Sequence, residues 1–147
     1  MSKLGSAAAK KVGFDALARK KREREPFTAL TAYDYTTARL LDATGAVDML
    51  LVGDSLAMTV LGHPDTLSVT LDEMIHHAKA VARGTERAMV VADAPFMSYH
   101  VDLPSSVRNL GRLVQEGRAD AVKLEGAGTL VLETVEMPCS HLVIRQH

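Results

Sequence analysis

An α/β chain organised around a parallel sheet is what this sequence predicts. Short apolar runs alternate with amphipathic segments, the runs Met49 to Val52 and Met89 to Ala92 carry no polar position, and an acidic residue follows each run within two positions. Alternating strand and helix patterns favour repeated βα units, and strands without polar positions are those covered on both faces.

The elements follow in order. Residues 1–12 are small, polar and basic and read as a loosely ordered arm. A helix comes next, with Phe14 and Leu17 on its apolar face and a solvated charge run from Arg19 to Arg24, stopped by Pro26. Thr28 to Tyr33 is the first strand, and a short helix from Thr36 to Ala43 ends at Gly45. Met49 to Val52 is the second strand. Thr70 and Glu73 form a capping box for a helix that places Leu71, Met74, Ile75, Ala78, Val81 and Ala82 on one face and stops at Gly84. Met89 to Ala92 is the third strand. Pro104, Ser105 and Ser106 start a helix that buries Val107, Leu110 and Val114 and ends at Gly117. Ala121 to Leu124 is the fourth strand. Leu130 to Met137 begins one more helix, which Pro138 halts. The chain thus divides into an arm (1–12), a body of βα units (13–137) and a tail (138–147) that departs from the pattern.

Composition excludes several function classes. Hydrophobic residues at 47% and charged residues at 24% are ordinary for a globular domain, and a net charge of -1 offers no basic field for nucleic acid or anionic lipid. No apolar run approaches the roughly 20 residues of a membrane span. A single cysteine, Cys139, gives no internal disulfide, so a cytoplasmic location is expected.

The chemistry lies in the acids. Asp34, Asp54, Asp93 and Glu125 each follow or close a strand, and parallel strands present their C-terminal ends at one face, so these carboxylates should converge there. Such a group repels itself unless a cation neutralises it, and hard oxygen ligands without a cysteine cluster point to Mg²⁺. Asp34 serves equally well as the cap of the helix after it. Lys123 lies two residues before Glu125, so strand alternation turns both to one side, where the lysine can meet an anionic substrate. Ser55, next to Asp54, is placed either to bind a substrate carboxylate or to cap a turn. His63 on a loop and His76 and His77 within a helix read as structural. Gly126-Ala127-Gly128 could approach a ligand closely but completes no dinucleotide fingerprint.

Five motifs in order carry a family resemblance: Thr31-Ala32-Tyr33-Asp34-Tyr35, Val52-Gly53-Asp54-Ser55-Leu56, Gly62-His63 with Thr66-Leu67 and Val69-Thr70, Ala92-Asp93 with Pro95-Phe96-Met97, and Val122-Lys123-Leu124-Glu125-Gly126. Together they resemble ketopantoate hydroxymethyltransferase over about residues 14–137. The resemblance implies the first four βα units of a TIM (β/α)₈ barrel. It also implies transfer of a hydroxymethyl group from 5,10-methylenetetrahydrofolate to 3-methyl-2-oxobutanoate, giving 2-dehydropantoate for pantothenate synthesis. Asp54, Asp93 and Glu125 correspond to the family's Mg²⁺ site, and Asp54, Ser55, Asp93 and Lys123 to its 2-oxoacid contacts. The family is also expected to form homo-oligomers. The family's fifth-strand Gly-His-x-Gly-Leu motif and its later proton-accepting glutamate have no match here, so no catalytic residue is assigned and turnover is expected to be impaired. Two other readings compete: a non-catalytic half-barrel that pairs through exposed sheet edges, and another Mg²⁺-dependent oxoacid enzyme of the phosphoenolpyruvate-mutase and isocitrate-lyase type.

Overall fold

The structure, a computed structural model, describes residues 10–126 and 129 and the backbone of residues 143–146. Every apolar run read as a strand pairs in parallel with the next. β1 (Ala29–Thr31), β2 (Met49–Val52), β3 (Met89–Asp93) and β4 (Ala121–Glu125) lie in chain order, followed by β5 (Val143–Gln146). Register is set by pairs such as Leu50 with Val90 and Ala92 with Val122, and it brings Asp93 beside Lys123. An order that follows the chain is what successive βα crossovers produce when each moves one strand along.

Strand alternation splits the core in two. Leu50, Val52, Val90, Ala92, Val122 and Leu124 point to one side and join the main cluster, which also takes Ala38, Met74, Ala78, Val81, Leu110 and Leu113. These come from α2 (Tyr35–Ala43), α4 (Leu71–Gly84) and α5 (Leu103–Gln115); a single turn, α3 (Leu56–Thr59), follows β2. Met89, Val91 and Ala121, with Met49 and Leu51, point to the other side, where they meet Val12, Ala16 and Leu17 of the N-terminal segment.

Helix ends follow local chemistry. Thr70 and Glu73 complete the capping box of α4, and Asp102 caps α5 through the Ser105 N–H with Pro104 in its first turn. In α1 (Phe14–Glu23), Asp15 opens the first turn and Lys20, Lys21 and Arg22 close the last, matching the helix dipole. Three contacts hold this N-terminal segment below the sheet. Val12 N–H donates to the Arg87 carbonyl at 2.7 Å, Lys11 pairs with Asp120 at 2.8 Å, and Lys20 pairs with Asp48 at 2.8 Å. Asp48, Arg87 and Asp120 all precede strands, so the segment covers the N-terminal edge of the sheet and leaves the opposite edge, with the acids, open.

Several expectations change. The tail contains a strand: β5 extends the sheet beyond β4, pairing Val122 with Val143 and Glu125 with Gln146, so β4 is not an edge. A four-residue run ending in Arg145-Gln146 is too short and too polar at its end to read as a buried strand from composition alone. The buried stripe of α5 runs through Ser106, Leu110 and Leu113, with Val114 at its margin, a face rotated from the expected Val107, Leu110 and Val114. Phe14 is 37% exposed and yields the contact face of α1 to Ala16 and Leu17. Gly84 ends α4 less as a stop than as a point of close approach: a Cβ there would lie 2.5 Å from the Tyr35 carbonyl oxygen and 3.1 Å from Ala38 Cβ. Packing begins at Lys11 and Val12, inside the segment expected to be a loose arm. The helix expected over Leu130 to Met137, Cys139 and most of Gly126-Ala127-Gly128 lie outside the described residues. No helix among the described residues is long and apolar enough to cross a membrane.

Candidate functional site

Three of the four strand-end acids reach one cavity. Asp54, Asp93 and Glu125, with Lys123, line a recess of about 310 Å³ at the C-terminal ends of β2, β3 and β4. Asp34 does not join them. Its carboxylate accepts the Thr37 N–H at 2.8 Å and hydroxyl at 2.7 Å and so caps α2, which holds its pKa below the ordinary range.

Asp93 is the centre of the arrangement. As the last residue of β3 it points to the same side as Met89 and Val91, and it is 5% exposed. Its Oδ2 accepts the Asp54 N–H at 3.2 Å, and its Oδ1 lies 2.9 Å from Lys123 Nζ. Lys123 also donates to Glu125 Oε1 at 3.1 Å, so the two β4 side chains do share one side. The ammonium is thus held between two carboxylates. Burial alone would lower the lysine's pKa, but the pairs with Asp93 and Glu125 outweigh it and raise the value, keeping the group charged. Burial raises the Asp93 pKa in spite of its lysine partner, and burial followed by repulsion from Glu125 raises that of Asp54.

Gly53 makes the close approach possible. A Cβ there would meet Ser55 Oγ at 2.9 Å and Asp93 Oδ2 at 3.5 Å. Ser55 stands back from the recess, its hydroxyl 2.9 Å from that of Tyr33. His77 Nδ1 is 2.7 Å from the Tyr33 carbonyl oxygen, and His76 is exposed, so both keep structural or surface roles.

The donor set bears on a metal. Asp93 Oδ1 is buried and faces the Lys123 ammonium at 2.9 Å. A carboxylate oxygen has two lone pairs, so beside the ammonium one remains for a hard cation. Among the described residues, however, no three His, Cys, Asp or Glu side chains converge closely enough to form a ready-made metal cluster. Mg²⁺ commonly takes one or two carboxylates and completes its shell with water and substrate oxygens, and the adjacent Asp54 and Asp93 meet that need.

Loops build one wall of the recess. Phe96, Tyr99 and His100 come from the loop between β3 and α5, and Thr66 comes from the loop before α4. Tyr99 is buried, its hydroxyl donating to the Glu125 carbonyl at 3.2 Å and accepting the Glu125 N–H at 3.3 Å, which ties that loop to the end of β4. Loop positions carry no periodicity, so only the Thr66-Leu67 and Pro95-Phe96-Met97 motifs point to this wall in the sequence.

Comparison with known proteins identifies the family and the fold. A family model described as ketopantoate hydroxymethyltransferase matches residues 11–143. A 3-methyl-2-oxobutanoate hydroxymethyltransferase of Acetivibrio thermocellus is 60% identical over 116 residues, covering 79% of this chain and 40% of that protein. One from Exiguobacterium sp. is 52% identical over 133 residues, covering 86% of this chain and 47% of its own length. The chain therefore spans less than half the length of these relatives. Among solved structures, a phosphonopyruvate hydrolase complexed with oxalate and Mg²⁺ matches at a TM-score of 0.69 and 14% identity over 89% of this chain and 50% of that one. A 2,3-dimethylmalate lyase of the PEP mutase/isocitrate lyase superfamily matches at 0.62 and 20% identity, over 89% and 51%. Those likenesses establish the fold, the first part of a (β/α)₈ barrel. With the family model spanning most of the sequence and relatives above half identity, this chain belongs to the ketopantoate hydroxymethyltransferase family.

Proposed function

We propose that these residues form the oxoacid and metal half of a hydroxymethyltransferase site, acting on 3-methyl-2-oxobutanoate with 5,10-methylenetetrahydrofolate as one-carbon donor. The observation that carries the reading is the buried Asp93 flanked by Asp54 and Lys123 in one recess at the strand ends. Asp54 and Asp93, with Glu125 at the rim, would hold Mg²⁺ through oxygen ligands. When bound there, the cation supplies positive charge against the negative charge that grows on the oxoacid as its carbon acid loses a proton. Lys123 offers the substrate carboxylate a fixed ammonium, and Glu125 keeps that ammonium at the mouth of the recess. Ser55 is a reserve donor: freed from Tyr33, its hydroxyl could turn to a substrate oxygen. A lone cysteine supports a reducing, cytoplasmic setting.

No proton acceptor is assigned among these residues, so the chain on its own should bind substrate far better than it turns it over. Calorimetry should show 3-methyl-2-oxobutanoate binding in Mg²⁺, at least tenfold weaker in Lys123→Ala, while the purified 147-residue protein forms 2-dehydropantoate at a small fraction of a complete enzyme's rate. No binding by the wild-type chain would overturn the substrate reading, and full-rate turnover would overturn the claim of impairment.

A second reading has its own observation. All three residues of β1 are exposed, with Leu30 at 42%, and Phe27 beside it is 51% exposed. A bare apolar strand edge invites pairing with another half-barrel or a full-length subunit. Size-exclusion chromatography that shows a stable folded monomer at micromolar concentration would count against it.

A further inference from the structure

The recess has two chemically different sides. Asp54, Asp93, Lys123 and Glu125 make a charged floor, which suits a small anion and a cation, whereas the opposite wall is aromatic. There the His100 ring lies 4.1 Å from Tyr99 at 35° and 5.5 Å from Phe96 at 49°, so His100 is the middle of a three-ring cluster. His100 and Phe96 are exposed, yet Tyr99 is buried and held by both the N–H and the carbonyl of Glu125 at the end of β4. The cluster is therefore a preformed surface rather than a loose set of loop side chains.

This wall continues outward. Phe96 and Leu67 line both the recess and an adjoining groove of about 510 Å³, whose other walls include Val69, Pro95 and Met97. Met97 sits at φ 64° with its side chain 52% exposed. A non-glycine residue held in the left-handed region is strained, and such strain collects where loops clamp ligands. Among the described residues Leu67, Phe96 and Met97 stay about half exposed beside the charged recess.

We propose that Phe96 and His100 form the docking shelf for the planar heteroaromatic part of the one-carbon donor, with its remainder directed along the groove past Leu67 and Met97. The assignment rests on the transferase reading above and adds the second ligand's position on this chain. A flat, largely uncharged ring system gains from stacking on aromatic and imidazole faces, while the small oxoacid occupies the charged floor. The recess is larger than a five-carbon oxoacid fills, and the shelf borders the acids closely enough for both ligands to share it. His100 and Phe96 act here as positioning residues that hold the donor, not as groups that move protons.

The test uses the full chain and two probes, tetrahydrofolate and 3-methyl-2-oxobutanoate with Mg²⁺, each titrated by calorimetry. Wild type should bind both. Phe96→Ala and His100→Ala should each weaken tetrahydrofolate by about tenfold and leave the oxoacid within about twofold, whereas His100→Tyr, which keeps a ring, should retain tetrahydrofolate. Both side chains are exposed, so circular dichroism should show all variants folded as wild type. Unchanged tetrahydrofolate binding in both alanine variants would overturn the shelf. Oxoacid binding without any tetrahydrofolate binding in wild type would overturn it too, and leave the oxoacid site standing. Failure of both probes would remove the transferase reading itself.

Discussion

At Lys123 the balance of burial against pairing becomes specific. The ammonium sits 2.9 Å from Asp93 Oδ1, with both side chains largely buried. Breaking a buried ion pair from one side leaves an uncompensated charge and costs several kcal/mol, whereas replacing both members can be close to neutral. Lys123→Met should therefore lower stability by about 3 kcal/mol, and adding Asp93→Asn should restore much of it. Urea denaturation of the two single variants and the double variant measures the coupling; additive losses would show that the pair is not energetically linked. The pairing of Lys123 with Glu125 was readable from their spacing of two in a strand, and so was the approach of Asp93. Asp34 was ambiguous, because a strand-end acid and a helix cap share one sequence position; Thr37 decides it by offering both an N–H and a hydroxyl. His100 was not readable, since nothing in a loop sequence tells which way a ring faces.

Between elements, single side chains and single missing atoms set the packing. Asp42, near the end of α2, accepts the N–H groups of Glu86 at 2.8 Å, Arg87 at 3.0 Å and Ala88 at 2.7 Å, locking the turn that leads into β3. Burial would raise its pKa, but these backbone donors outweigh burial and hold it below the ordinary carboxylate value. A carboxylate with a lowered native pKa contributes stability above the unfolded value of about 3.9 and loses it as pH falls through the native one. Asp42→Asn should thus cost about 1–3 kcal/mol at pH 7, and the gap from wild type should shrink towards pH 3. Denaturation curves at both pH values test this; a constant gap would show that ionisation is not involved. Where α4 crosses α2, Gly84 has no room for a methyl group against the Tyr35 carbonyl. Gly84→Ala should lower the thermal midpoint, with a loss of about 1–3 kcal/mol, although alanine is the better helix former. An unchanged or higher midpoint would mean that the helices separate without cost. The helix α4 itself was plain in the sequence because capping box and apolar stripe agree. The rotated face of α5 was not, since Val107, Leu110, Leu113 and Val114 offer two overlapping stripes and only the fit against α4 and β4 selects one.

On the scale of the molecule, five parallel strands covered by helices on one side and by the N-terminal segment at one edge make an open sheet. Its parallel type and four of its strands follow from apolar runs spaced by amphipathic helices, and its order from the barrel that the family resemblance implies. β5 does not, because its strand character comes from pairing with β4 and not from its composition. Among the described residues the acids and lysine gather where the strands end, and nothing faces them from across a closed barrel. Oxoacid and divalent cation should bind together at Asp54 and Asp93. Mn²⁺ in place of Mg²⁺ tests it directly, by electron paramagnetic resonance of free Mn²⁺ during titration with and without 3-methyl-2-oxobutanoate. The oxoacid should tighten Mn²⁺ binding by at least fivefold in wild type, the cation should tighten oxoacid binding by the same factor, and Asp93→Asn should abolish the coupling. Mn²⁺ affinity indifferent to the oxoacid, or coupling that survives Asp93→Asn, would contradict joint binding at Asp54 and Asp93.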